Sequence, residues 1–259
     1  MWQECFDLFC QVMVNDIDAV IDLQFRAERG DLSAMAYLMI LYGCGIGSIA
    51  YDPMRAADIA DHIFPSLLAY DSSPSAQSPS LDRNASSSLP SSPSASPSAG
   101  MIDPADLPHA YFVLASCYEH GWGIRSPADD ADEATLQQQT RANLTQAVVY
   151  LRASARRGHA GAQNHLGHFY EVGLSCALER SDVQIPERGN GQSADDVIVP
   201  QIISEAVRWY SLAADQGYVV AYHNLGHCHA AQGHHLQALK FYQRAAERGY
   251  PPSIVELRK

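Results

Sequence analysis

Basic side chains are scarce: 17 lysines and arginines stand against 29 aspartates and glutamates in 259 residues, a formal charge of −12. Such a chain repels a phosphate backbone, which excludes nucleic-acid binding through overall charge. Long apolar runs are missing too, since none approaches the roughly twenty residues that cross a bilayer. Membrane insertion is therefore excluded, and Glu4 and Asp7 occupy the stretch where a secretory signal carries positive charge. The six cysteines, at 5, 10, 44, 117, 176 and 228, show neither a C-x-x-C pair nor a framework spacing. Reduced thiols fit that pattern better than disulfides or structural zinc, and the expectation is a cytoplasmic protein in which the N-x-[ST] matches at Asn84 and Asn143 mean nothing. A nucleophile elbow, a phosphate loop and a paired carboxylate site are also lacking. The glycine run "GCGIG" recurs as "GWGI" and reads as a helix-ending turn, not as a dinucleotide loop. What is present is 47% hydrophobic residues, enough for a folded core.

That core is organised by repetition. Ala19 and Gly30, Ala147 and Gly158, Ala206 and Gly217, and Ala238 and Gly249 are each eleven residues apart. Three of these glycines are followed four residues later by Ala34, Ala162 or Ala221, which open a second block with Leu38, Leu166 or Leu225 four places on; Ala110 and Leu114 obey the same rule. Tyr42, Tyr118 and Tyr170 stand eight residues after the first alanine of their blocks, and a glycine stands at plus eleven; the last copy departs, with His229 for tyrosine and Gly233 one place late. Small or apolar side chains at relative positions 1, 4, 5, 8 and 9 share one helical stripe. The N-terminal segment repeats it with Trp2, Cys5, Phe6, Phe9 and Cys10. Two alternating helix types follow, the glycine supplying the left-handed residue that ends a helix. One pair of short helices cannot bury its stripe alone, so the pattern predicts an all-α fold: a right-handed α/α superhelix (solenoid) of about five antiparallel helix pairs, closed by a short helix begun by Pro251 and Pro252.

The segments "AQNHLGHFYEVG" with "EAVRWYSLAADQGY" and "AYHNLGHCH" with "QALKFYQRAAERGY" resemble the Sel-1-like repeat family, relatives of tetratricopeptide repeats, and the resemblance covers nearly all of residues 16 to 250 outside insertions. Met39 and Ala115 depart from the pattern where Gly167 and Gly226 follow it, and the helix from Met54 to Phe64 is expected to stop at Pro65. The resemblance implies an adaptor in signalling, quality control or complex assembly, without enzymatic activity or cofactor. The intra-repeat disulfide of secreted bacterial members has no counterpart here.

First-type helices start at 34, 110, 162 and 221, intervals well beyond a regular repeat of about 36, so each interval holds extra chain. Three regions result: helix pairs over 1–71; a Ser/Pro/Ala-rich insertion over 72–104, expected to be disordered because it has little to bury; and repeats with two polar loop insertions and a cap over 105–259. Ser73, Ser78, Ser92 and Ser96 each precede proline and would suit proline-directed kinases.

By analogy with tetratricopeptide arrays, positions 3, 7, 10 and 11 of the first-type helices face a concave groove. The residues with recognition chemistry there are Phe112, Ser116, Glu119, His120, Asn164, His168, Glu171, His223 and His227. They are the expected contacts for a peptide or helix of a protein partner. His165 and His229 fall on the packing stripe and are expected to be structural. A second reading stays open: His223 and His227, four apart on one helix, with His168 beside them, could hold a metal ion in a regulator or metal-dependent hydrolase. The glutamate of an H-E-x-x-H motif is missing from that set.

Overall fold

The computed structural model describes residues 1–47, 49–71, 105–124, 132–171 and 194–258. Among them the only regular elements are helices, eleven in number. In chain order they are α1 (Trp2–Met13), α2 (Ile17–Glu28), α3 (Leu32–Cys44), α4 (Pro53–Asp71), α5 (Leu107–His120), α6 (Glu133–Arg156), α7 (Ala160–Glu171), α8 (Ala194–Asp215), α9 (Val219–Ala231), α10 (His235–Glu247) and α11 (Pro251–Glu256). Odd- and even-numbered helices pack as five consecutive antiparallel pairs, each leaning on the next, and α11 closes the stack against α10. The all-α solenoid is therefore the fold.

Local chemistry places the helix ends. Asp16 and Asp31 each accept two backbone N–H groups of the turn that follows, from Asp18 and Ala19 and from Ser33 and Ala34, satisfying donors that α2 and α3 would otherwise leave unpaired. The repeated glycines Gly30, Gly158, Gly217 and Gly249 stop the even-numbered helices at φ values of 82° to 91°, a backbone region that a Cβ disfavours.

Three helices run further than periodicity suggests. α4 continues through Pro65 to Asp71, contrary to the expected stop. Pro65 gives up one helical hydrogen bond, but Ile63, Phe64 and Leu67 on either side are buried, and that packing holds the helix together. α6 begins at Glu133, inside the stretch expected to be a polar loop. Asp132 caps it by accepting the Thr135 N–H at 2.9 Å, and side-chain bonds one turn apart, Gln137 to Glu133 and Gln139 to Asn143, support a segment with almost no buried face. Likewise the end of the second polar loop insertion, expected over 175–200, belongs to α8, which begins at Ala194. The 72–104 insertion and its four serines lie outside the described residues.

Helices within a pair approach by matching sizes. A Cβ on Gly167 would stand 2.8 Å from the Tyr210 ring and one on Gly226 2.5 Å from the Tyr242 ring, so each glycine is the seat of a tyrosine from the partner helix. In the preceding pairs the same register holds Ala115 with Leu151 and Met39 with Ala60, all buried. As the odd-helix residue grows, the even-helix residue shrinks. Met39 and Ala115 are both fully covered, and the Met39 sulfur lies 3.8 Å from the Cys117 thiol of α5, so neither departure exposes the seam.

Candidate functional site

The residue after each repeated glycine precedes the next odd helix: Asp31, His159, Tyr218 and Tyr250. The first three meet α1, while Tyr250 packs its ring on His223 at 5.3 Å between centroids. The Cys5 thiol lies 3.8 Å from Asp31, Phe6 packs on His159 at 4.5 Å and on Tyr218 at 6.1 Å between ring centroids, and the Tyr218 hydroxyl reaches the Met13 sulfur at 3.5 Å. Gly249, immediately before Tyr250, is close enough to Val14 that a Cβ there would be in contact at 3.7 Å. The superhelix is wound so tightly that its first helix touches its last repeat, and α1 fills the upper part of the inner face.

At the centre of this contact lies a buried polar chain. The Ala162 N–H donates to His159 Nδ1 at 3.0 Å, which leaves the proton of neutral His159 on Nε2. That N–H faces the Tyr37 hydroxyl at 3.4 Å and His109 Nδ1 at 3.1 Å, and the Tyr37 hydroxyl donates to the same Nδ1 at 2.6 Å. Burial lowers the His109 pKa to about 4 and pushes His159 well below its usual value, with His109 itself opposing a charge on His159. Burial raises Tyr37. The three side chains are a neutral hydrogen-bonded set joining α3, α5 and the start of α7, roofed by Phe6.

Below α1 the inner face is open. A recess of about 240 Å³ lies between Phe9 and Met13 of α1 and residues of α3, α5, α7 and α9, including Ile40, Phe112 and Asn164. Its rim and the ledge beyond it are polar. Glu119 stands 3.1 Å from His165, while His120 stacks on Trp122 and has Nδ1 2.9 Å from the Ser116 carbonyl. Burial would raise the Glu119 carboxyl, but His165, with His120 and His168, holds it below its usual value. Glu171 accepts the Tyr210 hydroxyl at 2.6 Å and lies 3.9 Å from His168 Nδ1; the pairing raises the His168 pKa and lowers that of Glu171. Asn224 donates to Asn164 at 2.9 Å, tying α9 to α7. His223 Nδ1 meets the Ser253 hydroxyl at 2.8 Å, and His223 and His227 bring their Nε2 atoms to 3.1 Å. Burial and then His227 lower the His223 pKa to about 4.

The nine side chains expected to face the groove therefore separate into two groups. Phe112 and Ser116 are buried, Phe112 stacked on His159, and they form the floor of the recess rather than an open surface. Glu119, His120, Asn164, His168, Glu171, His223 and His227 are partly or fully exposed along the rim and ledge. For the metal reading, His223 and His227 do come together, but no group of three or more histidine, cysteine, aspartate or glutamate side chains suited to one ion occurs among the described residues. His165 and His229 are half-buried, as their register predicts; His229 lies parallel to Phe241 at 5.2 Å. What periodicity missed is that His159 and Tyr218 join Phe6, Tyr37 and His109 in one buried set. The signal was available as an aromatic, histidine or aspartate directly after each repeated glycine.

Tandem antiparallel helix pairs stacked about a common inner face define the class of α-solenoid repeat proteins. Within that class the chain belongs to the Sel1 repeat family, whose model matches residues 108–134, 136–159, 160–184, 192–218 and 219–250, just over half of the chain. The matches fall on the last three helix pairs; α1 to α4 lie outside them. A putative sel1-like repeat-containing protein, L21, of Acanthamoeba polyphaga mimivirus is 26% identical over 89 residues, 34% of this chain and 12% of the viral protein. The aligned stretch is thus a small part of that relative's length. A crystal structure of a Sel1 repeat protein from Oxalobacter formigenes aligns over 94% of this chain and 49% of its own, at 19% identity and a TM-score of 0.38. No helix among the described residues is long and apolar enough to cross a membrane.

Proposed function

We propose that the chain is a non-catalytic adaptor that holds a peptide or helix of a partner protein along the ledge of α7 and α9, with one apolar side chain of that partner seated in the recess beneath α1. One observation carries this reading: the recess of about 240 Å³ has an apolar floor and a polar rim. Folded interiors leave few voids larger than a water molecule, and an apolar pocket with a small number of oriented polar groups is the form of a recognition site. Glu119, Asn164, His168, Glu171, His223 and His227 supply the orienting groups. Membership of a family whose repeats generally mediate protein interaction supports the same reading. The free thiols of Cys5, Cys10, Cys44, Cys117 and Cys228 suit the reducing cytoplasm.

The test uses the pair His168→Ala and His227→Ala. Both imidazoles are exposed, so helicity and melting temperature should stay within error of the parent. A partner captured by the parent chain and then titrated in purified form should bind the double variant about tenfold more weakly or worse. An unchanged affinity would remove this ledge from consideration.

A further inference from the structure

A second opening runs along another side of α1. It is a cleft of about 370 Å³ between α1 and the turns that lead into α5, α7 and α9, and it shares only Tyr218 with the recess. Phe6 and Asp7 stand on its α1 wall, and His109, Arg157 and Ala160 on the wall opposite. Arg157 has no carboxylate partner among the described residues: its guanidinium donates to the Ala153 carbonyl at 3.0 Å and lies over the Tyr111 ring, 5.2 Å from the centroid.

That opposite wall offers donors without acceptors. His159 Nε2 carries a proton and lies 3.1 Å from His109 Nδ1, so Nδ1 cannot carry one as well, and the His109 proton sits on Nε2. His109 is only 5% exposed, yet its Nε2 has no hydrogen-bond partner among the described residues. The sealed side-chain polar atoms lacking a partner among those residues are Trp209 Nε1 and His229 Nδ1. His109 Nε2 is therefore not sealed, and the space it opens to is the cleft. Ala160 is the first residue of α7, and its backbone N–H also finds no acceptor among the described residues. The start of α7 adds about half a positive charge to that of Arg157.

Two N–H groups, a helix start and a free guanidinium on one wall are suited to an oxyanion. Charge decides which one. Asp7 faces the same space from α1, its Oδ1 accepting the Gln3 amide at 2.9 Å, and the whole chain carries −12. That surrounding negative charge opposes a doubly charged phosphate far more than a single carboxylate held at the opposite wall. The Phe6 and Tyr218 rings, parallel at 6.1 Å between centroids, line the remainder with apolar surface. We infer that this cleft binds a small organic acid, its carboxylate received by His109 Nε2–H, the Ala160 N–H and Arg157 and its apolar body lying against Phe6 and Tyr218. The site is separate from the recess and from the ledge of α7 and α9 and does not depend on their role.

Isothermal titration calorimetry of the full chain near neutral pH tests this with 3-phenylpropionate, which should bind saturably with a Kd of about 1 mM or below. Its amide, 3-phenylpropionamide, has the same shape without the charge and should bind at least about tenfold more weakly. Arg157 is exposed, so Arg157→Gln should leave the helical circular dichroism and the melting temperature unchanged while weakening the acid about tenfold. In the parent chain, the nuclear magnetic resonance signal of His109 Nε2 should move along the same binding curve. N-acetylphenylalanine separates two sources of the carboxylate: binding about tenfold tighter than 3-phenylpropionate assigns it to the end of a peptide, and equal or weaker binding to a free acid. Absence of saturation with both acids, equal affinity for the amide, a His109 signal that stays still at saturation, or an affinity unchanged in Arg157→Gln would each overturn the proposal. So would inorganic phosphate binding more tightly than either acid.

Discussion

Replacing Gly226 by alanine tests the size matching that spaces the helix pairs. Two effects of opposite sign act at this position. In the interior of α9, glycine is about 1 kcal/mol less favourable than alanine, so propensity alone predicts that Gly226→Ala stabilises by that amount. The structure predicts otherwise. The new Cβ would stand 2.5 Å, 2.6 Å and 2.9 Å from Cε1, Cδ1 and Cζ of Tyr242, against an ordinary carbon contact of roughly 3.5 Å. Tyr242 is buried, and its ring would have to retreat by about an ångström or force the two helices apart, a kind of overpacking that costs about 1–3 kcal/mol. The net change is therefore expected to run from about zero to 2 kcal/mol of destabilisation. A double-mutant cycle isolates the contact, because the propensity gain appears in both arms and cancels. Tyr242→Leu recreates the Ala115–Leu151 combination found two repeats earlier, so Gly226→Ala should be tolerated better in that background by about 1–3 kcal/mol. Urea unfolding followed by far-ultraviolet circular dichroism measures all four corners of the cycle. Stabilisation of about 1 kcal/mol by Gly226→Ala alone, with no coupling to Tyr242, would show that the close approach does not exist.

Acid should open the hub beneath α1. The His109 pKa is depressed from 6.5 to about 4 in the folded chain, so its contribution to stability is complete above pH 6.5 and is lost as pH falls towards 4. The full loss is about 3 kcal/mol from this group, and His159, shifted in the same direction, adds to it. Thermal melts between pH 7.5 and 4 should show the decline, and nuclear magnetic resonance titration of the His109 ring should place its midpoint near 4; an ordinary midpoint near 6.5 would refute the buried neutral set. Leu225 is buried in α9, and Leu225→Asp should unfold at least the last repeats by burying an unpaired charge, read as loss of helical signal at 222 nm. Retained helicity and an unchanged melt would remove Leu225 from the shared seam.

Much of the fold was legible because its signals are local. A glycine at a helix end and a stripe at positions 1, 4, 5, 8 and 9 act over one or two turns, and each can be read from neighbouring letters. The beginning of α6 was not legible for the converse reason: Glu133 to Asn143 form a helix held by a cap and side-chain bonds one turn apart, with no apolar stripe to betray it. Pro65 misleads because a local cost there is outweighed by the burial of Ile63, Phe64 and Leu67, which only tertiary packing supplies. For the candidate site, register placed Glu119, Asn164, His168, Glu171, His223 and His227 on the inner side, yet gave Phe112 and Ser116 an exposure they do not have. How far an inner side chain is covered depends on how sharply the array curves, and curvature accumulates over all five pairs.

The amino-acid sequence by itself therefore determined the alternation of helices, their repeated glycine ends and the stripe each buries, since these follow from hydrogen bonding and side-chain spacing within a few residues. The tertiary structure alone decided that Phe6 would meet Tyr218 across more than two hundred residues, that His109, His159 and Tyr37 would close into one neutral chain, and that a recess would remain below α1. Each of those outcomes depends on small rotations between successive pairs, set by whether glycine meets tyrosine, alanine meets leucine or methionine meets alanine. Such angles add along the whole array and are written in no single repeat.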